Sequence, residues 1–512
     1  MHIAHSILLA AAFHGSCALG QEGQLDLSFG VNGIASLAVG TVNLLENDMV
    51  VQNDGKILTT GRCSDGQGWD IYVMRCMPDG ELDGTFGDQG FVRTDLGTFW
   101  DQAFAITVDG EGRVIVAAES FSNPFAPMVC AVRYLANGTL DGAFGSEGIA
   151  NAPLDALGHP RDLTVNGNGA IIVVGTDNAY SAIVVYQFTG DGAPDSGFGS
   201  GGAMTAAPFG SLNMAKSVFV QDDGRLVLAC TYGQPGAYDV GVVRLFADGA
   251  FDPSFGSGGI ATLSVSPADE TIGGLGVQSD GGVIIAGSSD NAPNYDVFVA
   301  RFTVAGNLDP EFGVNGVRLV SVQPGLNRAN DIAIQSDDKI VLAGRRDIGP
   351  GTSAVTVFRF NANGGLDAAF GANGIVTTAL SGVASAAGNS VGLQPDGRVI
   401  VAASGGEHPM LLRYLAGPFI GVEENSGLGG GMMVFPNPVG EQAVLHFELG
   451  TMARIACDLL DVQGRPVRRF FDAQRSSGQH RDVLDLSGIT PGHYTLAIRS
   501  AEGTRHMRLV RP

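Results

Sequence analysis

Seven aspartates, Asp26, Asp83, Asp141, Asp195, Asp252, Asp309 and Asp367, each open a box Asp-x-x-Phe-Gly-x-x-Gly, and they are the first carboxylates that metal binding or acid/base chemistry would recruit. An aspartate beside a turn accepts backbone N–H groups, and each here has a polar or cationic residue in the preceding segment, such as Arg75 for Asp83 or Arg301 for Asp309. A role repeated at every box is structural, whereas catalysis needs asymmetry at one place. No catalytic residue is therefore assigned, and an enzyme is not expected. Trp69, Tyr238 and Tyr295, each followed by aspartate, and Tyr180 at a similar place, are the candidate ligand-binding residues. Aromatic faces with acidic acceptors beside them suit sugar rings, although packing at strand starts explains them too. His159 and His408 have no zinc spacing. No cofactor is expected. Calcium is the metal to look for, at Asp177-Asn178 and between Asp290 and Asp296, yet no loop there has the calcium-binding spacing of alternating oxygen ligands closed by glutamate.

Charge narrows the partners. The chain of 512 residues has a net charge of −23, while residues 432–512 hold ten Arg, no Lys and eight acidic groups, so the rest is more acidic than the whole. Such a body repels phosphate backbones, and nucleic acid is not expected as a partner. Charged residues at 16% and 76 glycines point to many turns and few long amphipathic helices.

Met1 to Gly20 reads as an export signal, with an apolar run from Ile7 to Phe13 and small residues before Gln21. No later apolar stretch approaches the roughly 20 residues that cross a bilayer. Cys63, Cys76, Cys130, Cys230 and Cys457 would remain after cleavage, an odd number without regular spacing, which favours buried thiols over a disulfide framework.

The elements that place these residues follow from a repeat. The Phe-Gly glycines of the seven boxes, Gly30, Gly87, Gly145, Gly199, Gly256, Gly313 and Gly371, recur at intervals of 54 to 58 residues. Each period also holds two apolar strands joined by a tight turn, as in Val51-Gln-Asn-Asp-Gly-Lys-Ile-Leu. Asp54-Gly55, Asp223-Gly224 and Asp396-Gly397 suit two-residue primed turns, and Asp337-Asp338 is the poorest match. A third strand such as Phe298 to Phe302 precedes the box and a fourth follows it. Four short antiparallel strands, seven times over, predict an all-β fold with a seven-bladed β-propeller across residues 21–416. The chain starts with a box and its following strand at residues 25–39 and stops repeating after Leu415, so the first box is expected to complete the last blade.

The Gln-x-Asp-Gly-Lys hairpin, the Ala-Arg-Tyr strand and the Leu-Asp-x-x-Phe-Gly box, recurring in that order, resemble the delta-60 repeat family of bacterial β-propellers, a resemblance that implies a fold and no common activity. Blade three departs from it, with Gln187 where the other blades have arginine.

Beyond a Gly-rich linker at 417–431, residues 432–512 alternate as a small Ig-like β-sandwich does. Phe435-Pro436-Asn437-Pro438, Leu460 to Gly464, and Leu486 to Tyr494 with Gly492, resemble the type A sorting domain of the type IX secretion system of Bacteroidota. That resemblance implies passage through the periplasm, recognition by the type IX machinery, and delivery to the cell surface or medium. The expected protein is an exported monomeric propeller that acts as a binding module for a glycan or a protein, with a polysaccharide-acting hydrolase or lyase as the alternative.

Overall fold

The computed structural model describes residues 22–39, 43–64, 66, 68–121, 127–152, 158–291, 294–322, 325–405, 408–416, 433–435, 442–449, 451–460, 465–490, 492–500 and 503–511. Residues 22–416 form one compact unit and the C-terminal residues belong to another.

In the first unit, seven four-stranded antiparallel sheets are built from the seven repeats. Blade one is Asn43–Val51, Ile57–Ser64, Asp70–Cys76 and Phe91–Thr94, hydrogen-bonded in that order. The first strands of the other blades are Trp100–Val108, Gly158–Val165, Asn213–Val220, Glu270–Val277, Asn327–Ile334 and Ala387–Leu393. Each lies against the first strands of the two neighbouring blades, so the first strands are innermost and close a ring. The second and third strands are covered on both faces, which is why they read as unbroken apolar runs such as Val283-Ile-Ile-Ala and Val297-Phe-Val-Ala. Each hydrophobic cluster of the ring spans two blades: Leu58, Ile71 and Val73 of blade one pack with Val114, Val116 and Val132 of blade two.

Blade seven joins the two ends of the unit. Ile34–Ser36 pairs antiparallel with Met410–Tyr414, with Ile34 opposite Leu412 and Ser36 opposite Met410. The first box therefore fills the outer place of the last blade. Closure is reinforced where the Gly371 N–H donates to Glu22 O at 2.8 Å and the Arg359 guanidinium pairs with the Glu22 carboxylate.

The hairpins correct one expectation. The Gln52 N–H donates to Lys56 O and the Gly55 N–H to Gln52 O, both at 2.8 Å, with Gly55 at φ +83°. This is a three-residue loop, a turn followed by a left-handed residue in a bulge, and not a two-residue primed turn. Only the last loop residue needs positive φ, and Asp338 supplies it at +62° in the poorest-matching hairpin.

Every recurrent residue of the repeat works across a blade or between blades. Arg75 Nε donates to Asp83 Oδ2 at 2.8 Å, its Nη1 reaches Ala136 O of blade two at 2.6 Å, and its guanidinium lies 4.5 Å from the Phe86 ring. Arg133, Arg244, Arg359 and Arg413 repeat this arrangement with Asp141, Asp252, Asp367 and Asp26. Arg301 lies 3.2 Å from Asp309 and also pairs with Asp280. Gln187 replaces the charge with an amide, 2.8 Å from Asp195. The hairpin cations add a second contact, with Lys56 3.3 Å from Asp83 and Arg398 2.7 Å from Asp26. Apart from Arg301 and Asp309, which are half-buried, the box arginines and their aspartates are buried, Arg75 at 6% and Asp83 at 3% exposure, so the exposed-pair range of energies does not apply to them. The box Gly87 N–H donates to Asn137 O of the next blade at 2.8 Å, and Gln394 Nε2 donates to Gly55 O and Pro78 O of blade one.

The C-terminal unit is a sandwich of two sheets: Met433–Phe435, Gln442–Leu449 and Gly478–Asp485 in one, and Pro466–Arg475, Ala453–Leu460, Gly492–Ser500 and Gly503–Arg511 in the other. Leu445, Cys457, Leu459, Leu496 and Ile498 form its core. Tyr494 is buried there, and its hydroxyl donates to Thr490 O at 2.8 Å. Phe435 ends the first strand and Gly492 opens another, while Pro436, Asn437, Pro438 and Gly464 lie outside the described residues.

Candidate binding site at one end of the channel

The two ends of the ring differ in chemistry. At the end that carries hairpins and boxes, the cations are engaged by the box aspartates. Asp83, for example, is held down at about 2: burial opposes this, but hydrogen bonds from Thr85 and the charges of Arg75 and Lys56 outweigh it. The opposite end is built from the loops between second and third strands and those leading into the next first strand, and there the repeats diverge.

The position of Arg62 in blade one is taken by Glu119 in blade two and by Thr176, Thr231, Ser288, Arg345 and Ser404 in the rest, as their pairing with the innermost strands shows. Arg62 Nη1 donates to Gln102 Oε1 at 2.8 Å, and its guanidinium lies 4.7 Å and 4.9 Å from the rings of Trp69 and Trp100. Those rings are 6.1 Å apart, fixed by a backbone bridge in which the Asp101 N–H donates to Trp69 O at 2.7 Å. Glu119 is buried, and Glu119 Oε2 lies 2.9 Å from His159 Nδ1 of blade three. Burial raises the Glu119 pKa, while His159, Arg161 and Arg62 oppose the rise. His159 in turn stacks on Tyr180, ring centres 5.3 Å apart. A row of polar and aromatic side chains thus runs from Trp69 through Arg62, Glu119 and His159 to Tyr180, with Arg62 and Glu119 coupled by charge.

Tyr180 has φ +56°, a conformation that costs a bulky side chain free energy. It is held there by its N–H donating to Asp177 O at 3.0 Å and by its carbonyl accepting the Asn213 N–H at 2.9 Å.

The innermost strands add a second asymmetry. Each skips one residue of register, at Asn47, Phe104, Arg161, Lys216, Gly273, Asn330 and Asn389. The asparagines stitch blades together: Asn47 Nδ2 donates to Ala103 O at 2.6 Å, Asn330 Nδ2 to Gly388 O at 2.8 Å, and Asn389 Nδ2 to Glu46 O at 3.4 Å. Blades two to four have Phe104, Arg161 and Lys216 instead, with Arg161 5.2 Å over the Phe104 ring. The side of the channel without amide stitches is the side that carries Glu119, His159 and Tyr180.

The four aromatic residues singled out in the sequence do not converge. Trp69 and Tyr180 lie at the ends of the path just described. Tyr238 is on blade four, its N–H donating to Asp269 Oδ1 at 2.9 Å, and Tyr295 is on blade five with Arg328 5.1 Å over its ring. Sequence reasoning missed Arg62, Trp100, Gln102, Glu119 and Arg161. The signal for them was available in the equivalent positions of successive repeats, where these residues break the pattern.

Oxygen-rich candidates for a cation are mostly engaged. Asp177 accepts the N–H groups of Ser181 and Ala182 and the Ser181 hydroxyl. Asp70, Asp95 and Asp101 bring carboxylate oxygens within 4.8 Å of one another, but Arg93 pairs with Asp70, and Asp101 accepts the Leu96 N–H and the Thr98 hydroxyl.

Comparison with known proteins gives the chain its family context. Residues 433–510 match the secretion system C-terminal sorting domain. Residues 52–86, 221–255, 278–312 and 335–370 match a β-propeller domain of unknown function, DUF5122, each stretch running from the hairpin glutamine to the box phenylalanine. The chain is an exported repeat propeller with a type IX sorting domain. Blades two and three of this propeller put Asp109 and Asn166 in place of that glutamine, and blade seven is split between the chain ends. No curated protein matches the chain. Solved structures similar in fold include a ulvan lyase of polysaccharide lyase family PL25, bound to -[GlcA(1-4)Rha3S]-, at 12% identity and TM-score 0.43 over 78% of this chain and 96% of that one. Sqt1 from Chaetomium thermophilum is similar at 13% identity and TM-score 0.43, over 78% and 100%. PorZ, a surface component of the type IX secretion system of Porphyromonas gingivalis, is similar at 11% identity and TM-score 0.23, over 91% and 81%. No described helix is long and apolar enough to cross a membrane.

Proposed function

We propose that the propeller is a binding module delivered to the cell surface or medium by its sorting domain, and that its ligand is a glycan seated at the channel end against blades one to three. The observation that carries this reading is the path from Trp69 to Tyr180, a place where a nearly uniform ring brings several half-buried aromatic faces together beside charged hydrogen-bonding groups. Sugars are held by that combination of apolar ring faces and oriented polar groups. A second reading, a polysaccharide-acting hydrolase or lyase, draws support from the Glu119–His159 pair stacked beside the Tyr180 phenol, since a carboxylate that orients an imidazole is a general-base arrangement. Glycan-array binding of the exported chain, followed by product analysis on each hit, tests both. Binding without product supports the module. Product formation lost in His159→Ala replaces it with the enzyme, and no binding to any glycan defeats both.

A further inference from the structure

Cations at the hairpin-and-box end are paired with carboxylates, and at the channel end Arg93 and Arg345 are paired too, with Asp70 and Asp347, but several others there are not. Among the described residues Arg62, Arg161, Lys216 and Arg328 make no ion pair, in a chain whose net charge is −23. Arg62 sits in the corner formed by two indole rings and is bonded to Gln102, Arg161 rests on Phe104, and Lys216 is exposed on the innermost strand of blade four. A guanidinium held flat on an aromatic ring keeps its N–H edge oriented for a planar or tetrahedral anion. Folding gains no ion pair from these charges.

We propose that the channel end takes an anionic sugar chain, its carboxylate or sulfate groups held by Arg62, Arg161 and Lys216 and its ring faces by Trp69, Trp100 and Tyr180. The proposal rests on the binding reading above and adds the charge class of the ligand. Acidic groups elsewhere on the body are screened beyond roughly 10 Å at ordinary ionic strength. Of the acids close by, Glu119 is matched by His159 and Asp70 by Arg93, and burial raises the Asp101 pKa. On the same innermost strands burial raises the pKa values of Asp48, Asp162 and Asp331, which reduces their opposing charge.

The chain has two tryptophans, Trp69 and Trp100, and both belong to this site, so intrinsic fluorescence reports on it directly. The full exported chain is titrated with polygalacturonate, dextran sulfate, neutral dextran and single-stranded DNA, following tryptophan emission and calorimetric heat together. The expected result is a saturable emission change with polygalacturonate or dextran sulfate, whichever anion the site takes, and none with dextran. Arg161→Gln weakens that binding about tenfold or more, whereas Arg113→Gln, the same charge change at the hairpin end, leaves it unchanged. Equal loss in both variants, or tighter binding of DNA than of either polysaccharide, overturns the proposal. Neutral dextran binding with an emission change that Arg161→Gln leaves intact overturns the anionic class while keeping the glycan site. Heat without any emission change places binding elsewhere and defeats the site itself.

Discussion

Asp48 of blade one and Asp331 of blade six share one hydrogen-bonding partner, the Ser390 hydroxyl of blade seven, which lies 2.9 Å from Asp48 Oδ1 and 2.9 Å from Asp331 Oδ2. A hydroxyl carries a single hydrogen, so both contacts are full hydrogen bonds when one carboxyl group donates. The three blades therefore meet around a retained proton. Burial, then the charge of Asp331, pushes Asp48 up to about 7, and burial pushes Asp331 up to about 6. Asp162 adds like charge to both, and the neighbouring Glu46, bonded by Asn389 Nδ2 at 3.2 Å, is pushed up to about 8 by burial and by Asp48. Asp48 Oδ2 also accepts the Ile106 N–H of blade two at 2.9 Å, which ties the same carboxyl to a fourth blade.

Stability should consequently fall on both sides of mildly acidic pH. Folded Asp48, Asp331 and Glu46 hold protons more tightly than the unfolded groups, whose values lie near 4. Their contribution is complete below about pH 4 and is lost as the pH rises through about 6 to 8. Asp83 and Asp252, held at about 2, act in the opposite sense: their contribution is complete above about pH 4 and is lost as the pH falls through 2. Calorimetry of the propeller transition should show a melting temperature that peaks between about pH 4 and 6. Asp48→Asn should flatten the alkaline limb and spare the acid one. A melting temperature that climbs steadily from pH 4 to 8 would contradict the retained proton.

The box arginines should be worth more than surface ion pairs. Arg133→Met removes the partner of buried Asp141 and the bond to Gly190 O of the next blade, and it should cost about 3–5 kcal/mol in denaturant unfolding. Gln187→Met, at the equivalent place in blade three, removes a neutral amide from Asp195 and should cost about 1–3 kcal/mol. Equal losses at the two positions would mean that the charge of the arginine is irrelevant.

Removing residues 22–36 takes away the outer strand of blade seven, the buried Phe29 and the partner of Arg359. The melting temperature of the propeller should drop by about 10 °C or more. An unchanged transition would show that the two ends of the unit do not hold the ring together.

Much of this architecture was legible because it is periodic. Gly30, Gly87 and their counterparts recur where a backbone N–H must meet the next blade, and an apolar run such as Val283 to Ala286 can only be a strand covered on both faces. The hairpins were legible as hairpins, but their loop length was not, because Asp54-Gly55 fits a two-residue turn as well as the end of a three-residue one. The channel-end site was less visible for the opposite reason. Arg62, Glu119 and Arg161 come together from different blades, and no local motif records that Glu119 of a second strand will meet His159 of the next blade's first strand. Such residues are recognised by what they interrupt.

The central claim is that ligand binding occurs at the channel end against blades one to three. Amide-hydrogen exchange of the exported chain, with and without a saturating glycan identified on the array, tests it most directly. The account predicts slowed exchange at residues 62–64, 68–70, 100–105, 117–121, 158–162 and 178–182, with the hairpins unchanged. Protection confined to the hairpin turns around Gly55, Gly224 and Gly397, or to the C-terminal sandwich, would contradict it.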